Sequence, residues 1–282
     1  MAKGCPGAVV ALRATRGPGT ESPLNPLTFV GPLDWRSALL AVLFGLPWIV
    51  LLARDVLRRW PTWAAAAAGA VLFPLSLAWL QAPVELGLHW LWSRLFGAPA
   101  ADGYLLAVAV PLVFVAGPVQ EGIKVAATAL GLRWQRALRL PLAGVGLGAA
   151  VGAGYGAMEA FWVLNVMSAP GWTWAMAEAQ GLAAPLVIVE RLFGVAFHAG
   201  AAAVAGYGYG AGRLWRHLLI AIALHGAMNL GDVLRQVGLL GAVALEVWVA
   251  LLSAVTVGLA LWLRRRAAAG GGAPVAASGA RA

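Results

Sequence analysis

Along the chain, long apolar runs alternate with short connections rich in arginine, glycine and proline. Seven runs, at residues 37–53, 62–82, 103–132, 141–166, 183–212, 214–231 and 238–263, are long enough for a hydrocarbon layer of roughly 30 Å at about 1.5 Å per residue. The pattern predicts an all-α polytopic membrane protein with about seven transmembrane helices. Residues 84–96 are amphipathic and are expected to lie at the membrane surface. Residues 1–35 read as an irregular tail, 36–266 as one integral membrane domain and 267–282 as a disordered tail.

Two of the runs are lined with small residues. Gly144, Gly148, Gly152 and Gly156 recur every fourth residue in the fourth run, and Gly194, Ala202, Gly206 and Gly210 share a stripe with His198 in the fifth. Helices with such faces can approach closely in a membrane, so these two are expected to form a tight inner pair.

Composition strengthens the membrane assignment, because 61% of the 282 residues are hydrophobic and only 11% are charged. A soluble domain could not cover itself with so little polar surface. The net charge of +9 sits in short groups between runs, without the interleaved aromatics of a nucleic-acid face, so no nucleic-acid partner is expected. Arg54, Arg58 and Arg59, then Arg133, Arg136 and Arg139, then Arg213 and Arg216, then Arg264, Arg265 and Arg266 fall on every second connection. By the positive-inside rule those connections are cytoplasmic, which places the C-terminus in the cytoplasm of a multi-pass cell-membrane protein, although Lys3, Arg13, Arg16 and Arg36 oppose it. The only cysteine, Cys5, excludes a disulfide framework or a cysteine-rich metal site. No signal peptide is expected, since residues 8–12 are the only apolar stretch before Arg13.

A charge at the bilayer centre costs roughly 2.5–3.5 kcal/mol on insertion scales, so each intramembrane ionisable residue calls for an explanation. These are Glu121, Lys124, Glu159, Glu190, Arg191, His198, His225 and Glu246. Glu121 and Lys124 share a helical face and can simply neutralise each other. Glu159 and Arg191 fall at similar depths and can form a second ion pair. His225 and Asn229, four residues apart, also share a face. Counting rise per residue from the cytoplasmic ends puts Glu121 and His225 at roughly 16 Å, and His198 and Asn229 at roughly 21–22 Å. A carboxylate and two imidazoles meeting at mid-depth suit a shared divalent metal or water. Other peptidase chemistries lack their residues: there is no HExxH, no GxSG, and Asp34, Asp55, Asp102 and Asp232 lie near or beyond the run ends.

The motifs carry a resemblance. Residues 117–124 (GPVQEGIK), 152–159 (GAGYGAME), 190–210 with Glu190, Arg191 and His198, and 224–229 (LHGAMN) resemble, in order, the four motifs of the PrsW/YhfC-like intramembrane metalloproteases. That family is related to the CAAX-protease and bacteriocin-processing (CPBP) superfamily. Gln120 stands where the family's first motif usually has the first of two adjacent glutamates. Glutamine cannot take a proton, so a base must come from Glu121 or Glu159.

The resemblance implies an intramembrane peptidase acting on a membrane protein or peptide. His198, His225 and Glu159 are expected to hold a divalent metal, Zn2+ by this reading, while Glu121 activates its water. Asn229 is expected to donate to the oxyanion, and Lys124 and Arg191 to position the carboxylates. Two alternatives stay open: a catalytically impaired member that binds membrane proteins, as Gln120 favours, and a proton-coupled transporter using the same buried residues.

Overall fold

A computed structural model describes residues 24–30, 33–97, 110–134, 141–168 and 183–270. Among them there is no strand, and eight α-helices account for nearly all of the structure: α1 (Trp35–Leu52), α2 (Trp60–Ser76), α3 (Ala82–Phe96), α4 (Val110–Trp134), α5 (Pro141–Ser168), α6 (Ala183–Gly210), α7 (Leu214–Gln236) and α8 (Ala242–Gly270). Local chemistry sets several ends. The Asp34 carboxylate caps α1 by accepting from the Arg36 backbone N–H at 3.2 Å and the Ser37 hydroxyl at 3.1 Å. Gly212 and Gly238 take positive φ, 68° and 79°, in the turns after α6 and α7, where a side chain would be strained.

Six described helical stretches are long and apolar enough to cross a membrane, which makes the chain an all-α polytopic membrane protein. The exact count of seven is not confirmed, since α4, whose expected run of 103–132 is described only from residue 110, is not among the six. Gln120, Glu121 and Lys124 interrupt its apolar middle. Residues 84–96 are not a separate helix. Helix α2 passes through a π-helical stretch, Leu77–Gln81, into α3, so Trp60–Phe96 is one continuous 37-residue helix. Pro74 lies three residues before the π stretch and lacks the N–H that a regular ladder needs. The α3 part turns Glu85 inward, at 3% exposure.

Helix α5 is the centre of the bundle: 83% of its apolar window is buried, against 28% for α1 and 22% for α8. Glycine makes that position possible. A Cβ at Gly144, Gly148 or Gly152 would stand 2.1–2.3 Å from a backbone oxygen of α6. On another face, a Cβ at Gly154 would stand 1.9 Å from Ala66 O of α2. The expected tight pair of α5 and α6 is therefore present, with α2 closing on a further side. By contrast, Val243, Val247, Val255 and Leu251 leave an exposed apolar ridge along α8, as lipid-facing spans do.

The described helix ends beside the basic connections meet at one end of the bundle. Asp55 pairs with Arg264, Trp60 meets Trp134 edge-on at 5.8 Å, and Arg133 Nε donates to Tyr209 Oη at 3.0 Å. Part of the N-terminal tail is ordered onto the opposite region: Pro26–Phe29 forms a 3-10 turn, Phe29 packs against Trp162, and Asn165 Nδ2 donates to Val30 O at 3.0 Å. Helix α8 continues through Gly270, past the expected start of the C-terminal tail. Residues 1–23 and 271–282 lie outside the described residues.

Candidate functional site

Helices α4 to α7 each bring ionisable side chains to one region. Glu121 and Lys124 are one turn apart on α4, Glu159 is on α5, Arg191 and His198 are two turns apart on α6, and His225 and Asn229 are one turn apart on α7. The glycine seam governs their meeting. The His198 ring lies across Gly156, where a Cβ would be 3.1 Å from the His198 Cδ2, so a larger residue there would push the imidazole away from Glu159.

The contacts form one connected network. Lys124 Nζ donates to Glu121 Oε1 at 2.6 Å and lies 3.0 Å from His198 Nδ1. His225 Nδ1 is 2.7 Å from the same Glu121 oxygen. On the other side of the His198 ring, Nε2 is 2.7 Å from Glu159 Oε2. Arg191 reaches Glu159 Oε1 at 3.3 Å and also pairs with Glu190. Glu121 and Lys124 are fully buried, and the ammonium lies 5.1 Å from the centre of the Tyr155 ring, a cation–π contact. Tyr155 is held in turn by Ser76, with 2.8 Å between the hydroxyls.

These contacts fix the imidazole tautomers. An ionised carboxylate only accepts and an ammonium only donates. His198 therefore carries its proton on Nε2, facing Glu159, and offers the Nδ1 lone pair to Lys124. His225 carries a proton on Nδ1, facing Glu121. His198 is neutral in this arrangement, and the Glu121 and Lys124 charges cancel.

Beside the network lies a cavity of about 110 Å³, room for several water molecules. Glu159, Glu190, Arg191, His198, His225 and Asn229 all line it. The structure thus brings together Glu121, Lys124, Glu159, Arg191, His198 and His225, and sets Asn229 on the same cavity.

Two expected roles shift. Glu121, expected to activate water, is fully buried and is not a lining residue, because Lys124 and His225 share its Oε1. Glu159, with 26% of its side chain exposed against 6% for Glu190, is the more open of the two network carboxylates that meet the cavity. Glu159 was also expected to ligate a metal beside His198 and His225. Instead Glu121, His198 and His225 each offer a ligand atom within 4.8 Å of one another, and Glu159 lies on the far nitrogen of His198, bound to Arg191. The expected Glu159–Arg191 ion pair is present alongside the histidine contact.

Glu121, His198 and His225 can hold a metal ion: one carboxylate and two imidazoles are suitable donors, and they are close enough together. One cation is already seated among them. The Lys124 ammonium lies within hydrogen-bond distance of both Glu121 Oε1 and His198 Nδ1, so a metal that used these atoms would have to displace it.

Sequence reasoning missed other lining residues. Asp232, taken to lie beyond a span end, is inside α7 because that helix runs to Gln236, and it lines the cavity. Gln81 and Glu85 also line it, with Gln81 Nε2 donating to Glu85 Oε1 at 2.8 Å. Their i, i+4 spacing in an apolar stretch was a usable signal. Away from the cavity, His217 is buried at 8% exposure, and its Nδ1 donates to Arg213 O at 3.0 Å. No protein-family model, no curated protein and no solved structure matches the chain, so the chemistry of this site rests on its own geometry.

Proposed function

We propose that the chain is an intramembrane peptidase of the PrsW/YhfC-like kind, hydrolysing a membrane-associated polypeptide in the cavity between α4, α5, α6 and α7. The observation that carries this reading is the Glu159–His198 contact of 2.7 Å at the cavity wall. A carboxylate oriented by an imidazole and a guanidinium, and open to water, is what general-base hydrolysis requires.

In this mechanism Glu159 accepts a proton from a cavity water as the water oxygen attacks the peptide carbonyl carbon. Each carboxylate oxygen has a second lone pair beyond its existing contact, so His198 and Arg191 need not leave. The Asn229 amide donates to the developing oxyanion. The C–N bond then breaks, and Glu159 returns the proton to the departing amine. His198 and Arg191 hold the carboxylate in place, while Lys124 and Glu121 set the His198 tautomer from behind. A divalent ion held by Glu121, His198 and His225, zinc being the natural choice for such donors, would supply Lewis acidity and a more acidic water when bound.

The test is turnover of quenched fluorescent membrane-tethered peptides by the purified protein in liposomes. Glu159→Gln is expected to lower the rate about a thousandfold, the middle of the usual range for a general base, while Asn229→Ala lowers it less. Equal cleavage by Glu159→Gln and the unaltered protein overturns the mechanism.

A further inference from the structure

The cavity has a second polar wall that this mechanism does not use. Gln81, Glu85 and Gln120 line it, at 1%, 3% and 7% exposure. Gln81 Nε2 donates to Glu85 Oε1 at 2.8 Å, and Gln120 Nε2 donates to Gln81 Oε1 at 2.9 Å. The polarity of this chain follows from chemistry. A carboxylate accepts, so Gln81 turns its NH2 group to Glu85 and its carbonyl to Gln120. Gln120 must then spend its NH2 group on Gln81, and its own Oε1 is left buried without a partner.

The wall therefore ends in two acceptors, the Glu85 carboxylate and a Gln120 amide oxygen that lies just beneath the cavity surface and reaches it by rotation of the Gln120 side chain. The other cavity acids have cationic neighbours. Glu159 and Glu190 pair with Arg191, and Asp232 lies one helical turn from Arg235 on α7. Glu85, among the described residues, makes its hydrogen bond to a neutral amide and has no ion-pair partner. An uncompensated carboxylate and an unpaired buried carbonyl are both costly. A group with a positive charge and several N–H donors relieves both costs at once.

We infer that Glu85, Gln81 and Gln120 form a subsite for an ammonium or guanidinium group, and, resting on the peptidase reading, that this group belongs to the polypeptide substrate. The charge comes either from a lysine or arginine side chain or from a free amino terminus. Glu85 supplies the counter-charge, Gln120 Oε1 takes one N–H, and Gln81 holds the two in register.

The probe is n-butylammonium added to the purified protein in detergent, with neutral butyramide as the control and the unfolding temperature as the readout. Butylammonium is expected to raise that temperature saturably and butyramide to leave it unchanged. Half-saturation shifts at least tenfold upward in Glu85→Gln and severalfold in Gln120→Leu. Glu159→Gln, which abolishes hydrolysis, keeps the butylammonium response, so failure of this subsite and failure of the peptidase reading give different results. Equal stabilisation by both probes, or an unchanged half-saturation in Glu85→Gln, overturns the proposal. If Glu85→Gln does not fold, the two-probe comparison and Gln120→Leu decide. An N-acetylated peptide with one lysine and a lysine-free peptide with a free amino terminus then compete with butylammonium. The one that displaces it identifies the source, and displacement by neither overturns the link to a polypeptide.

Discussion

The two polar walls of the cavity solve the same problem differently. On the α4 to α7 side, each carboxylate of the network has a cationic partner inside the protein: Glu159 and Glu190 share Arg191 at the cavity, and Lys124 pairs with Glu121 behind it. On the α2–α3 side, Gln81 and Gln120 extend a neutral amide chain from Glu85 and leave it without a cation. A wall that is internally matched can act on a ligand without depending on it for stability. One that is unmatched has its missing partner as a requirement, and that makes it the more selective of the two.

The sharpest way to break this contrast is to unmatch the first wall. Glu121→Gln leaves the Lys124 ammonium buried without its counter-ion, and removing one member of a buried pair costs about 3–5 kcal/mol. Adding Lys124→Met to the same chain should recover most of that loss. Unfolding in mild detergent, read as a double-mutant cycle, checks it, and additive losses would show that the two charges are not coupled. Next in size, Lys124→Met alone opens the cation seat between Glu121 and His198. Zinc content of the purified variant, measured by elemental analysis after equilibration with the ion, should rise towards one per chain above that of the unaltered protein. Equal occupancy in the two proteins would mean that Lys124 does not hold that seat.

The smallest effect belongs to the second wall. Gln120→Leu removes one hydrogen bond to Gln81 and also removes the unpaired Oε1, so thermal unfolding should change by no more than about 1 kcal/mol. A loss several times larger would show that the amide chain is a structural support and not a waiting surface.

The first wall was legible in the sequence because its residues are charged exceptions in apolar helices and recur at helical spacing. Depth counting placed Glu121 level with His225, and the two are in contact at 2.7 Å. The glycine stripes announced the α5–α6 seam for the same reason: a period of four is visible without a structure. What was not legible depends on which side of a ring a partner occupies. Depth alone could not tell that Glu159 meets Nε2 of His198 while Glu121 and Lys124 lie towards its other nitrogen. The second wall was hidden by the π stretch. A regular helical period from Trp60 does not carry through Leu77–Gln81, so residues 84–96 looked like a separate amphipathic segment at the surface. Within the described part of α4, Gln120, Glu121 and Lys124 are the residues that dilute its hydropathy, and two of them, Glu121 and Lys124, build the site.

That dilution bears on how the protein enters its membrane. Helix α4 carries a carboxylate and an ammonium one turn apart, bonded at 2.6 Å, so it can partition into the lipid as a neutral dipole rather than as two separate ions. Its remaining polar demands, from His198, His225 and Gln81, are met only by helices on both sides of it in the chain. During biosynthesis α4 is therefore the span least able to stay in the bilayer by itself, and its final seating must wait until α7 has left the ribosome. The polar centre is complete only once α7 has emerged, and the insertion machinery has to tolerate an unfinished helix until then.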